Sequence, residues 1–229
     1  MFEKTVILSF DDAVSNHASF VAPLLKQLGF HATFFVCEFP PDFATNQEQY
    51  MTWRQIRSLC DDGFEIGNHT LNHTGVETLS AEAFAAELEA LERKLAANGI
   101  PPARTFAYPG GPGAARLHPV LHAKGYRFAR TAAGRPWRFF TDDPYDVPAY
   151  AVHGEETEFF RAITEAEPDC MPVLLYHGVP EFSHPWVNTD PTVFEREMRY
   201  LADRQYRVLS FADLPAPISP KTSGPPPEQ

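Results

Sequence analysis

The chain has 229 residues, 44% of them hydrophobic, and a net charge of −11 with histidine neutral. This length and apolar content suit one α/β domain with a large core. The acidic balance, with no dense Lys/Arg stripe, argues against nucleic acid and anionic membrane surfaces as partners. Three scattered cysteines, Cys37, Cys60 and Cys170, lack C-x-x-C spacing and make neither a disulfide framework nor a zinc ribbon.

The N-terminal Met1-Phe2-Glu3-Lys4 offers no basic or long apolar leader region, so the chain as given reads as cytoplasmic. An exported form without its signal would read the same. No stretch is long enough to span a membrane as a helix. Thr5 to Phe10 reads as a buried strand. His17 to Leu28 has helical spacing and ends at Gly29, a good C-cap. Ala32 to Val36 is the next strand, Thr52 to Cys60 a helix capped by Thr52, and Phe64 to Gly67 a short third strand. Ser80 to Ala97 is the clearest helix. Ser80 caps it, and Phe84, Leu88, Leu91 and Leu95 form its apolar stripe.

Arg104 to Ala107 and Tyr126 to Thr131 read as strands around a helix at Leu117 to Lys124. Val147 to Val152 reads as an edge strand broken by Pro148. Glu155 to Glu167 reads as a helix, Val173 to Tyr176 as a strand, Thr192 to Arg204 as an amphipathic helix and Arg207 to Ser210 as a last strand. Seven or eight strands alternating with helices predict a barrel-like α/β fold over residues 1–214. Residues 215–229 form a Pro-rich tail that reads as disordered.

The chemistry-bearing residues fall at the carboxyl ends of these strands, where a barrel builds its active site. Asp11 and Asp12 follow the first strand. His69 and His73 follow the third. One carboxylate and two imidazoles, from Asp12, His69 and His73, make an open metal site with room for water and substrate. The four-residue spacing of the histidines would put both rings on one face of a helical turn. Asp11 then stands beside the metal as a second carboxylate able to move protons. Taken alone, Asp11-Asp12 reads equally well as a helix N-cap pair; the histidines tip the balance toward metal.

These segments resemble the polysaccharide deacetylases, the NodB-homology domain of carbohydrate esterase family four. The resemblance runs from Thr5 to about Leu214. It rests on Ser9-Phe10-Asp11-Asp12, on His69-Thr70-Leu71-Asn72-His73, and more loosely on Phe106-Ala107-Tyr108-Pro109-Gly110-Gly111 and Leu175-Tyr176-His177. It implies a distorted (β/α) barrel of about seven βα units, and hydrolytic removal of acetyl groups with one divalent ion, zinc first and cobalt, nickel or manganese as alternatives. By position, Asp12, His69 and His73 would be the ligands, Asp11 the general base and His177 the general acid. Gly110 would offer its N–H to the oxyanion, with Tyr108 and Pro109 beside the substrate. The expected partner is a carbohydrate or small acetylated molecule; the oligomeric state is not legible.

The chain departs from the family at Ala107, where many members carry an arginine that pairs with the catalytic aspartate. Arg130, at the end of the next strand, is the residue expected to reach that carboxylate. Asp142, Asp143 and Asp146 are the candidates to orient the His177 ring. Trp53, Tyr108, Trp137, Tyr145 and Trp186 fall near strand ends, where sugar rings stack on aromatic faces. His17, His153 and His184 are expected as solvent or pocket residues without a mechanistic part. The leading activity is removal of acetyl groups from N-acetylated sugars or oligosaccharides. Alternatives are an O-acetyl esterase, a hydrolase of a small cyclic amide, and a non-catalytic carbohydrate-binding barrel.

Overall fold

Parallel strands carry the computed structural model, which describes residues 3–166 and 169–217. Strand β1 (Thr5–Phe10) leads through a π-helical turn (His17–Val21) into α1 (Ala22–Leu28). Then come β2 (Thr33–Val36), α2 (Trp53–Asp61), β3 (Glu65–Asn68), α3 (Ala81–Ala97), β4 (Thr105–Ala107), α4 (His118–Ala123) and β5 (Phe128–Arg130). The chain closes with β6 (Tyr150–Ala151), α5 (Thr157–Thr164), β7 (Val173–Tyr176), α6 (Pro191–Asp203) and β8 (Arg207–Leu209). The expected end of the α5 helix at Glu167 and the tail from residue 218 onward lie outside the described residues.

Local chemistry sets the boundaries. Gly29 ends α1 at φ 70, in the left-handed region where a side chain is strained. Thr52 and Gln55 form a capping box at the start of α2. The Ser80 hydroxyl accepts from Ala83 N, and Phe84, Leu88, Leu91 and Leu95 are all buried. Pro148 has no N–H to give a ladder, and the sixth strand shrinks from the expected Val147–Val152 to two residues at the sheet edge.

The strand order is β5-β4-β3-β2-β1-β7-β6, with β8 also on β1. The first half of β1 pairs with β8 (Thr5↔Arg207, Ile7↔Leu209) and its second half with β2 (Ser9↔Thr33, Phe10↔Phe34). So β8 wedges into the lower part of the β1–β2 seam. At the other side the segment around Val147 bridges toward β5: Thr131 N donates to Val147 O at 2.7 Å and Val147 N to Ala129 O at 2.9 Å. This is the distorted (β/α) barrel that the resemblance implies, and it bears out the barrel-like fold read from the alternation of elements.

Side chains alternate across each strand. Val6, Leu8, Phe10, Phe34, Val36, Phe106, Leu174 and Tyr176 pack outward against the helices. Ile7, Phe35, Ala107, Phe128, Val173 and Leu175 fill the barrel with Trp137 and Phe211. Gly67 is required inside, because a Cβ there would lie 2.4 Å from the Phe35 ring. One outward contact is costly: Glu197 on α6 is 1% exposed and accepts from the Tyr176 hydroxyl at 2.9 Å. Burial raises its carboxyl to about 7, against the Tyr176 hydrogen bond that lowers it.

A folded-state value above the ordinary one means that the protonated form is favoured in the fold. The contribution is therefore complete below the unfolded value and is lost as pH rises through about 7. Above that, ionised Glu197 costs on the order of 3 kcal/mol. Glu197→Gln should raise the Tm at pH 8.5 and leave it nearly unchanged near pH 4.5. Thermal denaturation at both pH values checks this; an equal gain at both contradicts it.

Candidate active site

The same two-residue alternation that builds the core aims four polar side chains into the barrel mouth. Asp11 continues the inward series of Ile7 and Ser9, His69 that of Gly67, Arg130 that of Phe128, and His177 that of Val173 and Leu175. With Asp12 and His73 they line a cavity of about 490 Å³. Asp12 joins them because its φ is 71, a left-handed turn that breaks the alternation. His73 has φ 51. Such backbone strain in non-glycine residues gathers at functional sites.

The His69–His73 segment is a loop, which corrects the expected helical turn. Side chains, not a helical ladder, satisfy its amides. Asn68 Oδ1 accepts from Thr70 N at 2.9 Å, and the Glu87 carboxylate of α3 accepts from Leu71 N and Asn72 N, each at 3.1 Å. Thr70 sits at φ 58 and its hydroxyl accepts from Thr74 N. Asn72 donates to Glu87 Oε1, so Thr70 and Asn72 bond locally.

Asp12 Oδ1 lies 3.5 Å from His69 Nε2 and 3.4 Å from His73 Nε2. Donors at zinc-ligand distances on neighbouring corners of a tetrahedron stand about 3.4 Å apart. Donor atoms of the three residues all lie within 4.8 Å of one another. His69 Nδ1 donates to Ala107 O at 2.8 Å, which leaves its Nε2 lone pair facing Asp12. Burial pushes both imidazoles down, His73 to about 3, so they stand in the neutral form that binds metal. Burial and the Asp11 charge push Asp12 well up. A cation would relieve that penalty. The donor set fits a divalent ion in its chemistry, spacing and electrostatics. The expected metal group Asp12, His69 and His73 is thus gathered in one place.

Arg130 Nη2 donates to both oxygens of Asp11 at 2.5 Å, with the two side chains 1% and 4% exposed. Arg130 is the register partner of Ala107 across β4–β5. A guanidinium thus reaches the Asp11 carboxylate from the strand beside Ala107. Burial pushes Asp11 up, but the Arg130 guanidinium leads the opposing effects and the carboxyl is held below its ordinary value.

His177 Nε2 is 4.0 Å from Asp12 Oδ2, and its side chain is 17% exposed. Burial brings the ring down to about 4, against Asp11 and Glu181, which pull it up. The expected orienting carboxylates are elsewhere: Asp142 binds Arg135, while Asp143 and Asp146 flank His118. The loop that carries them folds back over the start of α4, where His118 lies.

Gly110 and Gly111 line the cavity, but Tyr108 and Pro109 do not. Tyr108 is fully buried and its hydroxyl donates to Tyr145 O, so its side chain is a wall of the core, not a substrate contact. Trp137 is core as well, Tyr145 donates to Tyr126 O, and Trp53 donates to Glu38. Of the five aromatics, Trp186 alone lines the cavity, at 69% exposure. Phe39, not singled out in the sequence, also lines it and stacks on His73 with centroids 4.6 Å apart. His184 lines the cavity, His153 is exposed away from it, and His17 is fully buried. No helix among the described residues is long and apolar enough to cross a membrane.

The polysaccharide deacetylase family model matches residues 1–129. The peptidoglycan-N-acetylmuramic acid deacetylase PdaA of Bacillus subtilis is 31% identical over 94 residues, 41% of this chain and 33% of that protein. The matches span about a third of the length of the curated relatives. Among solved structures, a carbohydrate esterase family 4 pseudoenzyme of Bacillus anthracis superposes with a TM-score of 0.65 at 18% identity, covering 92% of this chain and 65% of that one. The chitin deacetylase of Colletotrichum lindemuthianum gives 0.62 at 20% identity, covering 90% and 84%. At such identities the structural likeness establishes the fold alone.

Proposed function

Since the chain belongs to the polysaccharide deacetylase family, we propose that it is a metal-dependent hydrolase that removes acetyl groups from N-acetylated sugars or oligosaccharides. The observation that carries this reading is the meeting of two distinct carboxylates in one cavity. Asp12 faces two neutral histidines, while Asp11 is held ionised by Arg130. A retained scaffold without chemistry would have no use for that division of labour.

Asp12, His69 and His73 would hold the ion, with zinc matching a His-His-carboxylate set that leaves positions open. A divalent ion there supplies Lewis acidity toward the amide carbonyl and toward water. The remaining work falls to the chain. Asp11 takes the proton from the attacking water, and Arg130 keeps the carboxylate charged and aimed. Gly110 borders the space where the carbonyl oxygen gains charge. Water adds across the C–N bond to give acetate and a free amine, and the departing nitrogen needs a proton. His177 is the donor. Negative charge gathering in the cavity during attack raises its proton affinity from the low value of the resting site.

Trp186 stands at the rim as a stacking face for a sugar ring. Trp186→Ala should raise KM about tenfold and change kcat little, because a face that binds ground and transition states alike is lost. Steady-state kinetics checks this, and an unchanged KM contradicts it. The activity itself is tested by giving metal-loaded protein N-acetylated chito-oligosaccharides and acetylated xylan in parallel. Acetate released from the chito-oligosaccharides is expected; acetate from xylan alone moves the assignment to O-acetyl esters.

A further inference from the structure

His17 and Asn16 lie at the entry to the π-helical turn, on the far side of the chain from His177 in sequence, yet they grip the segment that carries it. His17 Nε2 lies 2.9 Å from His177 O. Because a carbonyl only accepts, Nε2 carries the proton and donates. Asn16 Oδ1 accepts from Val179 N at 2.9 Å, and Asn16 Nδ2 donates to Pro180 O at 2.7 Å. Three hydrogen bonds from two consecutive residues thus fix the backbone of 177–180.

The cost of this arrangement shows that it is specific. His17 is fully buried against the stacked Phe10 and Phe34 rings, at centroid distances of 5.3 and 5.5 Å. Its Nδ1 has no hydrogen-bond partner among the described residues. Burial pushes the ring down to about 4, so it is a neutral single donor. An apolar ring would fill this aromatic slot without an orphaned nitrogen. The turn is π-helical rather than α-helical, a local widening that recurs at functional sites.

We propose that His17, seconded by Asn16, is a positioning residue of the reaction: it anchors the His177 carbonyl and thereby sets where the His177 ring stands in the cavity. Among the described residues no carboxylate hydrogen-bonds that ring, the nearest being Asp12 Oδ2 at 4.0 Å, so the backbone anchor bears on where it stands. The inference depends on the reading of His177 as the proton donor to the departing amine.

The test uses the metal-loaded full chain and two probes. N-acetylated chito-oligosaccharide has an amine leaving group that must be protonated. 4-Nitrophenyl acetate releases a phenolate that needs no proton. His17→Phe keeps the aromatic packing and deletes the donor. It should lower kcat on the amide about 10- to 100-fold, the scale of a small misplacement of a catalytic group. Metal content, KM and turnover of the ester should stay within about threefold of the parent. His17→Gln, which keeps an N–H donor, should recover part of the loss. In a His177→Ala background, His17→Phe should add no further loss. Should His17→Phe fail to fold, Asn16→Ala loosens the same segment and should show the same amide-selective defect. Equal losses on amide and ester, or an undiminished amide rate, overturn the anchor role while leaving His177 untouched. If His177→Ala itself spares the amide, the donor reading falls and the anchor role with it.

Discussion

Asp11→Asn should keep its metal and lose its catalysis. Asp11 is not in the donor triangle, where Asp12 Oδ1 faces both histidines, so metal content by elemental analysis should match the parent. Its carboxylate stands ionised beside the donor triangle, because the Arg130 guanidinium on both its oxygens opposes the effect of burial. An amide in the same shape cannot take a proton from water. The loss in kcat should be about 10²- to 10⁴-fold, the usual share of general base catalysis. A variant with near-parental kcat would remove Asp11 from the base role.

Arg130→Met should be the most destabilising change at the site. The pair is 1% and 4% exposed and joined through both Asp11 oxygens. Deleting one partner leaves a carboxylate buried without compensation, at a cost of about 3–5 kcal/mol. For a chain of this size that corresponds to roughly 10 °C in Tm. The loss should be larger after chelation, because a bound cation compensates part of the stranded charge. Burial should then push Asp11 up, so kcat falls as well. The double variant Asp11→Asn/Arg130→Met strands neither charge and should melt above Arg130→Met alone. Strict additivity of the two changes would mean that the pair is not coupled, and Arg130 would be a bystander.

These expectations rest on features that were unevenly written in the sequence. Strands β1 and β7 lie where their unbroken apolar runs place them, and α3 has both a cap and a stripe to mark it. Asp11-Asp12 and the two histidines were visible because polar residues straight after buried strands have no core use. Arg130 was reachable by position, since strand ends share one rim. What was hidden depends on partners far along the chain. The left-handed loop at Thr70 and His73 is held by Glu87 from α3, so local spacing alone suggested a helix.

Tyr108 and Trp137 fall in or near strand-end loops, the reason to expect them as substrate faces; packing against distant segments makes both core. Nothing local marks His17, because its partner is the carbonyl of a residue 160 positions away. Phe39 lies in an irregular segment between β2 and α2, with no periodicity to mark it as a wall of the cavity.

The account turns on one divalent ion shared by Asp12, His69 and His73. Anomalous diffraction from crystals grown with zinc, recorded on both sides of the zinc edge, tests that most directly. It predicts one strong peak at zinc-ligand distance, about 2.0–2.2 Å, from Asp12 Oδ1, His69 Nε2 and His73 Nε2, and no peak there in His73→Ala crystals. Zinc-saturated crystals of the parent protein with no density between those atoms would contradict it.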